Sequence, residues 1–181
     1  GPARARNAAL AAARARYLAF LDSDDLWLPA KLERQLAFQR ATGAPLTFTQ
    51  FRRINEDGSS VGRLIDVPAR IDYAGLLRNT AIATSTVIVD RERSGAIEMK
   101  LTYYDDYACW LDVLRRGGSA CGLAEDLMRY RVAGGSVSRS KSRSAKAVWR
   151  TYRDVERLDP LTAAWCFANY AARGWLKYRR F

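Results

Sequence analysis

Residues Tyr17 to Leu21 form a short apolar run that stops abruptly at Asp22-Ser23-Asp24-Asp25. Five residues suited to burial, followed by three carboxylates within four positions, are the pattern of a buried strand ending in a polar tip. Both flanks read as helix. Arg4 to Arg16 is alanine-rich with few breakers, and beyond the tip Pro29 sits where a first helical turn tolerates proline. Lys31 to Ala41 continues with Leu32 and Leu36 four residues apart, until Gly43 supplies a stop. Helix, strand, acidic turn and helix in that order predict an α/β layered fold with a largely parallel sheet.

The rest of the chain fits the same class. Leu46 to Thr49 alternates as a strand does, Asn55-Glu56-Asp57-Gly58 makes a turn, and Val61 to Ile65 makes the returning strand. Tyr73, Leu76 and Leu77 predict a short helix, and the β-branched stretch Ser85 to Val89 predicts a strand. Asp105 to Arg116 carries Trp110, Leu111 and Leu114 ahead of Gly117-Gly118, a helix with a glycine stop. Leu127 to Val132 predicts another strand, and Ala133 to Lys141, rich in Gly, Ser and cations, predicts a loop. Two helical segments broken at Pro160 complete the chain.

Composition narrows the chemistry. The 181 residues suit one domain, or one domain with an appendage, and 49% hydrophobic with 11% aromatic residues exclude a disordered basic tail. There is no histidine, which removes Ser-His-Asp and Cys-His nucleophiles, imidazole metal ligands and a histidine base. Cys109, Cys121 and Cys166 form no CxxC pair, so free thiols are expected rather than a zinc ribbon or redox dithiol. The uncharged stretch Leu161 to Ala172 is shorter than the roughly 20 residues of a spanning helix, and no signal peptide is recognisable. Gly1 to Asp126 holds 17 basic and 16 acidic residues, whereas Leu127 to Phe181 holds 13 and 3. Nearly all of the formal charge of +11 therefore lies in the last third, and it points to phosphate as nucleic acid, anionic membrane or phosphorylated substrate.

Three clustered carboxylates at the carboxyl end of a strand repel one another unless a cation sits among them, and such strand ends are where open α/β sheets bind ligands. Mg²⁺ or Mn²⁺ suits an Asp-x-Asp tip of this kind, while Asp24 or Asp25 as the cap of the following helix is the plainer alternative. Asp105 and Asp106 open a helix, where the macrodipole alone favours carboxylates, and where one of two close carboxylates is also placed to act as a general base. Trp110 follows Asp106 by one helical turn, either as core or as a flat wall beside a sugar ring.

Taken together these residues resemble a known family. Gly1-Pro2-Ala3-Arg4-Ala5-Arg6-Asn7, then Tyr17 to Asp25, Trp27, Pro29, Lys31-Leu32-Glu33 and Gln35, are similar to the centre of a family 2 glycosyltransferase of the GT-A fold. Ser85-Thr86-Val87, the acidic pair with Tyr107 and Trp110-Leu111, Tyr130-Arg131, and Ser136-Val137-Ser138 with Lys141 follow in the order of the branch that builds bacterial capsule, teichuronic acid and related surface polysaccharides. The resemblance implies a GT-A-like, Rossmann-like mixed sheet flanked by helices, with residues 1–132 as the C-terminal part of the catalytic domain and 133–181 as a basic loop plus amphipathic helices. It further implies transfer of a sugar, with inversion, from a nucleotide-diphosphate donor of the UDP-sugar type to a saccharide or lipid-diphosphate-linked acceptor. Asp24 matches the metal and diphosphate ligand, Asp22 the ribose or metal ligand, and Asp106 the catalytic base. Asp25, Arg131 and Lys141 are expected at the nucleotide-sugar, and Asp105 and Trp110 at the acceptor or sugar. The cofactor implied is Mg²⁺ or Mn²⁺.

Family members begin with a strand bearing a Pro-Thr-Tyr-Asn-like stretch and a second strand ending in an Asp-Asp-Gly-Ser-like turn, and neither is present here. The resemblance therefore predicts an N-terminally truncated chain that binds donor poorly and turns over little. Leu161 to Tyr170, extended by Trp175, Leu176, Tyr178 and Phe181 with Arg173, Lys177, Arg179 and Arg180 beside them, predicts an amphipathic helix. It either packs on the catalytic domain or lies in an anionic membrane interface, giving a cytoplasmic protein attached peripherally to the inner face of the membrane. A basic nucleic-acid-binding module and a non-catalytic fragment needing a partner are the rival readings. The acidic tip in a nearly neutral first two-thirds argues against nucleic acid, and none is expected.

Overall fold

The computed structural model describes residues 1–102, 104–132 and 141–178, the side chains of Lys141 and of 176–178 excepted. Seven strands form one sheet: β1 (Tyr17–Ala19), β2 (Leu26–Trp27), β3 (Leu46–Asn55), β4 (Val61–Ile65), β5 (Arg70–Ile71), β6 (Ile88–Asp90) and β7 (Ala120–Val132). The helices are α1 (Pro2–Ala12), α2 (Lys31–Thr42), α3 (Tyr73–Leu77), α4 (Arg91–Ser94), α5 (Asp105–Arg115), α6 (Lys141–Arg150) and α7 (Pro160–Tyr178). The sheet runs β1-β6-β3-β7-β2, with β4 added to β3 and β5 to β7.

The sheet is mixed, as the family resemblance implies, and not largely parallel as the alternation of elements alone predicts. Among the described residues only β3 and β7 pair in parallel, from Thr47 opposite Cys121 to Asn55 opposite Val132, and the other pairings are antiparallel. The reason is that the segment between α2 and α5 doubles back as the β3–β4 hairpin and the short β6, instead of crossing over through a helix each time.

β3 is the central strand, and its first four residues, Leu46 to Thr49, are all buried. Leu46 and Phe48 join the main core with Leu76, Val89, Trp110 and Leu111, while Thr47 meets a polar face of α2. That face is Lys31, Gln35 and Gln39, one turn apart and all buried. Leu32 is exposed, so the Leu32/Leu36 pair does not mark the face that docks. Gln35 Nε2 donates to the Thr47 carbonyl and hydroxyl, each at 3.2 Å, and to the Thr86 carbonyl at 2.9 Å. The Thr47 hydroxyl in turn donates to Gln39 Oε1 at 2.6 Å. Gly43 ends α2 in the left-handed region at φ +60°, where a side chain would be strained.

β7 runs longer than the predicted Leu127–Val132, beginning at Ala120. Gly122 permits this: a Cβ there would stand 2.2 Å from the Pro68 carbonyl oxygen. The C-terminal helices share the core of the sheet, since Val148, Tyr152, Ala163 and Cys166 are buried in the same cluster as Tyr107 and Trp110. Between them the chain takes a wide π-turn over Thr151–Val155, and Tyr152 donates its hydroxyl to the Leu77 carbonyl. The three cysteines are free thiols. No helix among the described residues is long and apolar enough to cross a membrane.

Candidate active site

The run after β1 turns sharply, the Asp25 amide donating to the Asp22 carbonyl at 3.1 Å. The three carboxylates then part company. Asp25 turns inward, and its Oδ1 accepts the Arg131 amide at 3.0 Å. Burial pushes its carboxyl up to about 6, against the pull of Ser85 and the Arg131 amide. Asp22 is half-buried and accepts Nη2 of Arg6. Asp24 is exposed, and among the described residues its carboxylate has no hydrogen-bond or ion-pair partner.

Arg6 brings the second acidic group to the first. Its Nη1 donates to Asp105 Oδ2 at 2.8 Å while its Nη2 holds Asp22, so one guanidinium from α1 joins the β1 tip to the start of α5. Its neighbour Asn7 fixes α1 in place by exchanging two hydrogen bonds with the Met99 backbone, 2.9 and 2.8 Å.

The third component is the turn Thr84–Thr86, a single tight 3₁₀ turn where the sequence predicts the start of a strand. β6 begins only at Ile88. The Thr86 hydroxyl donates back to the Ala83 carbonyl at 2.6 Å, a local bond that competes with strand pairing. The turn reaches every part of the site. Ser85 Oγ accepts the Asp22 amide at 3.0 Å, the Ser85 carbonyl accepts Trp27 Nε1 at 2.7 Å, and Thr84 donates its hydroxyl to Asp106 Oδ2 at 2.5 Å. Burial raises the Asp106 carboxyl above the ordinary carboxylate range, with Asp105 adding to the rise and the Thr84 hydroxyl opposing it. A carboxyl raised in this way is closer to the operating pH of a proton-transfer group than a free aspartate is.

One expected residue sits elsewhere, and another reaches the acidic tip with its guanidinium already engaged. Trp110 is 0% exposed, its ring edge against Phe20 at 5.4 Å between centroids, so it is core and not a wall open to a sugar. The helical turn that separates it from Asp106 carries it inward, beneath the site. Arg131 spends its guanidinium on backbone carbonyls, that of Asp24 at 2.9 Å and those of Glu56 and Asn55 at 2.6 and 3.3 Å, and thereby ties the acidic tip to the β3–β4 turn. Ser136 to Ser138 and the Lys141 side chain lie outside the described residues. Arg6, Thr84 and Ser85 are the site residues to which sequence reasoning gave no role, although Arg6 and Ser85 stand inside its motifs.

Among the described residues no three Asp, Glu, Cys or His side chains gather as a ready-made metal cage. The donors on offer are the exposed Asp24 carboxylate and, beside it, the ion-paired Asp22. Such a set fits a hard cation that takes one or two carboxylates and completes its shell with phosphate oxygens and water, as Mg²⁺ and Mn²⁺ do. It does not fit a closed zinc site. Cys109 offers no alternative nucleophile, since burial pushes its thiol up to about 12.

The chain is similar to known proteins. A Bacillus subtilis protein named as a teichuronic acid biosynthesis glycosyltransferase, TuaG, is 42% identical over 94% of this chain and 68% of its own. The Escherichia coli UDP-Glc:alpha-D-GlcNAc-diphosphoundecaprenol beta-1,3-glucosyltransferase WfgD is 32% identical over 98% of this chain and 70% of its own. Among solved structures, Staphylococcus aureus TarS 1-349 in complex with UDP-GlcNAc superposes with a TM-score of 0.63 at 14% identity, over 99% of this chain and 54% of that one. The chain thus spans about half the length of that solved relative. The sequence pattern of the group described as Glycosyl transferase family 2 matches residues 1–93, and with these relatives it establishes that the chain belongs to that family.

Proposed function

We propose that this chain carries the transfer site of an inverting, metal-dependent glycosyltransferase that moves a sugar from a UDP-sugar to a hydroxyl of a lipid-diphosphate-linked saccharide in bacterial surface-polysaccharide synthesis, at the inner face of the cytoplasmic membrane. The observation that carries this reading is the Asp22–Arg6–Asp105 bridge, which sets an acidic tip suited to a metal beside an acidic pair, Asp105 buried and Asp106 half-buried, suited to base catalysis. The names of the relatives supply the substrate classes: WfgD is named for UDP-glucose and a diphosphoundecaprenol acceptor, and TarS is solved with UDP-GlcNAc.

Asp24 and Asp22 would hold a divalent cation, which when bound would neutralise charge on the leaving diphosphate. Asp106 takes the proton of the acceptor hydroxyl as its oxygen bonds to the anomeric carbon, and the bond from that carbon to the diphosphate oxygen breaks on the opposite face. Thr84 holds the Asp106 carboxylate in a fixed orientation through this step. Burial raises the Asp106 carboxyl and the neighbouring Asp105 adds to the rise, so the base is more basic than a solvated aspartate.

Calorimetric titration of UDP into the chain with Mn²⁺, without metal, and into Asp24→Ala tests the reading. Metal-dependent binding lost in the variant is expected. Binding that ignores both the metal and the substitution removes the acidic tip from the nucleotide site.

A further inference from the structure

Helix α7 is apolar on two opposite faces. Ala163 and Cys166 are buried, and Phe167 and Tyr170 pack onto the core from the same side. On the other side Leu161 is 84% exposed, Trp165 65% and Trp175 64%. At 100° per residue these three, with Ala168 and Ala172 between them, fall within an arc of about 80° and run for about 21 Å along the axis. A helix apolar all round is ordinarily buried all round.

The charge around this face narrows what covers it. From Pro160 to the end the chain has no Asp or Glu, and α6, which packs on α7 through the Trp149–Phe167 ring contact, has none either. Asp159, just ahead of α7, is engaged as its cap, accepting the Leu161 and Thr162 amides at 3.0 Å each. About 80° round the helix from the edge of the strip, Arg173 joins Arg70 and Arg78 around a cavity of about 380 Å³ between α3, β5 and the approach to β7. Its acidic member, Asp72, is committed to capping α3 through the Gly75 amide. A second copy of this chain would bring an equally cationic face and be repelled. An apolar strip with a three-arginine cavity farther round the helix complements a surface that is oily within and negative at its headgroups.

We propose that α7 and this cavity form a docking surface for an anionic lipid bilayer, with Leu161, Trp165 and Trp175 entering the headgroup region and Arg70, Arg78 and Arg173 taking lipid phosphate. The inference locates on the protein the membrane face that the lipid-linked acceptor calls for, and it rests on that reading only for its purpose, since the contact needs neither donor nor acceptor.

Sedimentation with extruded phosphatidylglycerol/phosphatidylethanolamine vesicles, compared with phosphatidylcholine alone, tests it, with tryptophan emission and a thermal melt recorded on the same samples. The expected result is binding to the anionic vesicles at low salt with a blue-shifted emission, weakened by salt. Trp165→Glu, at an exposed position, is expected to keep the melt and to lower partitioning about tenfold or more. The Arg70→Gln/Arg173→Gln double variant is expected to lose most of the preference for phosphatidylglycerol. A folded chain that does not sediment with anionic vesicles at low salt overturns the proposal, as does unchanged sedimentation of Trp165→Glu. A dimer that Trp165→Glu dissolves, without any vesicle binding, overturns it too and gives the face to a second copy. None of these outcomes depends on UDP binding, so this proposal and the transferase reading fail separately.

Discussion

Arg6 lies 16 residues from Asp22 and 99 from Asp105, and it touches both. Nothing local in the sequence marks such a partner, whereas the carboxylates themselves announce their place by clustering at a strand end and at a helix start. That is why the acids were legible and the cation joining them was not. The same distinction governs Asp106, whose setting comes from Thr84, 22 positions away. Asp106→Asn keeps an acceptor for the Thr84 hydroxyl but removes the proton acceptor. It is expected to lower transfer by a factor of about 10²–10⁴ while leaving UDP binding unchanged. Thr84 holds the Asp106 carboxyl down against burial. Its loss in Thr84→Val therefore moves the acidic limb of the pH–rate profile to higher pH, and Thr84→Ser leaves the limb in place. A limb that does not move in Thr84→Val removes the hydroxyl from the tuning of the base.

Among the elements, β1 with its acidic tip, α2 with its glycine stop, the β3–β4 hairpin and α5 lie close to where their patterns put them, because each has a strong period and a clear terminator. The misreadings have physical causes. Ser85 and Thr86 have strand propensity, yet their hydroxyls serve a tight turn. In α2 the inward face is polar, so no hydrophobic periodicity betrays it. Lys31, 0% exposed, lies over the Trp27 ring at 4.3 Å and donates to Gln35 Oε1 at 2.8 Å, while Gln35 passes hydrogen bonds on to β3 and to the Thr84–Thr86 turn. Gln35→Ala strips the Thr47 and Thr86 carbonyls of this donor, leaves Lys31 without its acceptor and opens a void. Denaturant unfolding is expected to show a loss of about 2–4 kcal/mol with the slope unchanged. A loss under about 1 kcal/mol would mean that water replaces the side chain and that the network is not what seats the helix.

For the molecule as a whole, two buried groups titrate in opposite directions. Asp25 is pushed up to about 6 from 3.8, so the stability it contributes is fully present below about pH 4 and is lost as pH rises through 6, on the order of 3 kcal/mol. Burial lowers Lys31 to about 7 from 10.5, so its contribution is present above about 10.5 and is lost as pH falls through 7. Their sum predicts a dip in unfolding free energy near pH 6–7 within a series run from pH 4.5 to 9, measured in urea. Asp25→Asn, which keeps an acceptor for the Arg131 amide, flattens the acidic side, and Lys31→Met flattens the alkaline side. A wild-type curve that climbs steadily from pH 4.5 to 7 contradicts the first half. A further consequence belongs to α1. Ala3 and Leu10 rest it on the core, and Arg6 and Asn7 are the side chains that hydrogen-bond it to the site and to Met99. An element so lightly attached frays ahead of the sheet on warming. When it leaves it takes the guanidinium with it and frees Asp22 and Asp105 from each other, so the site comes apart while the body of the protein is still folded.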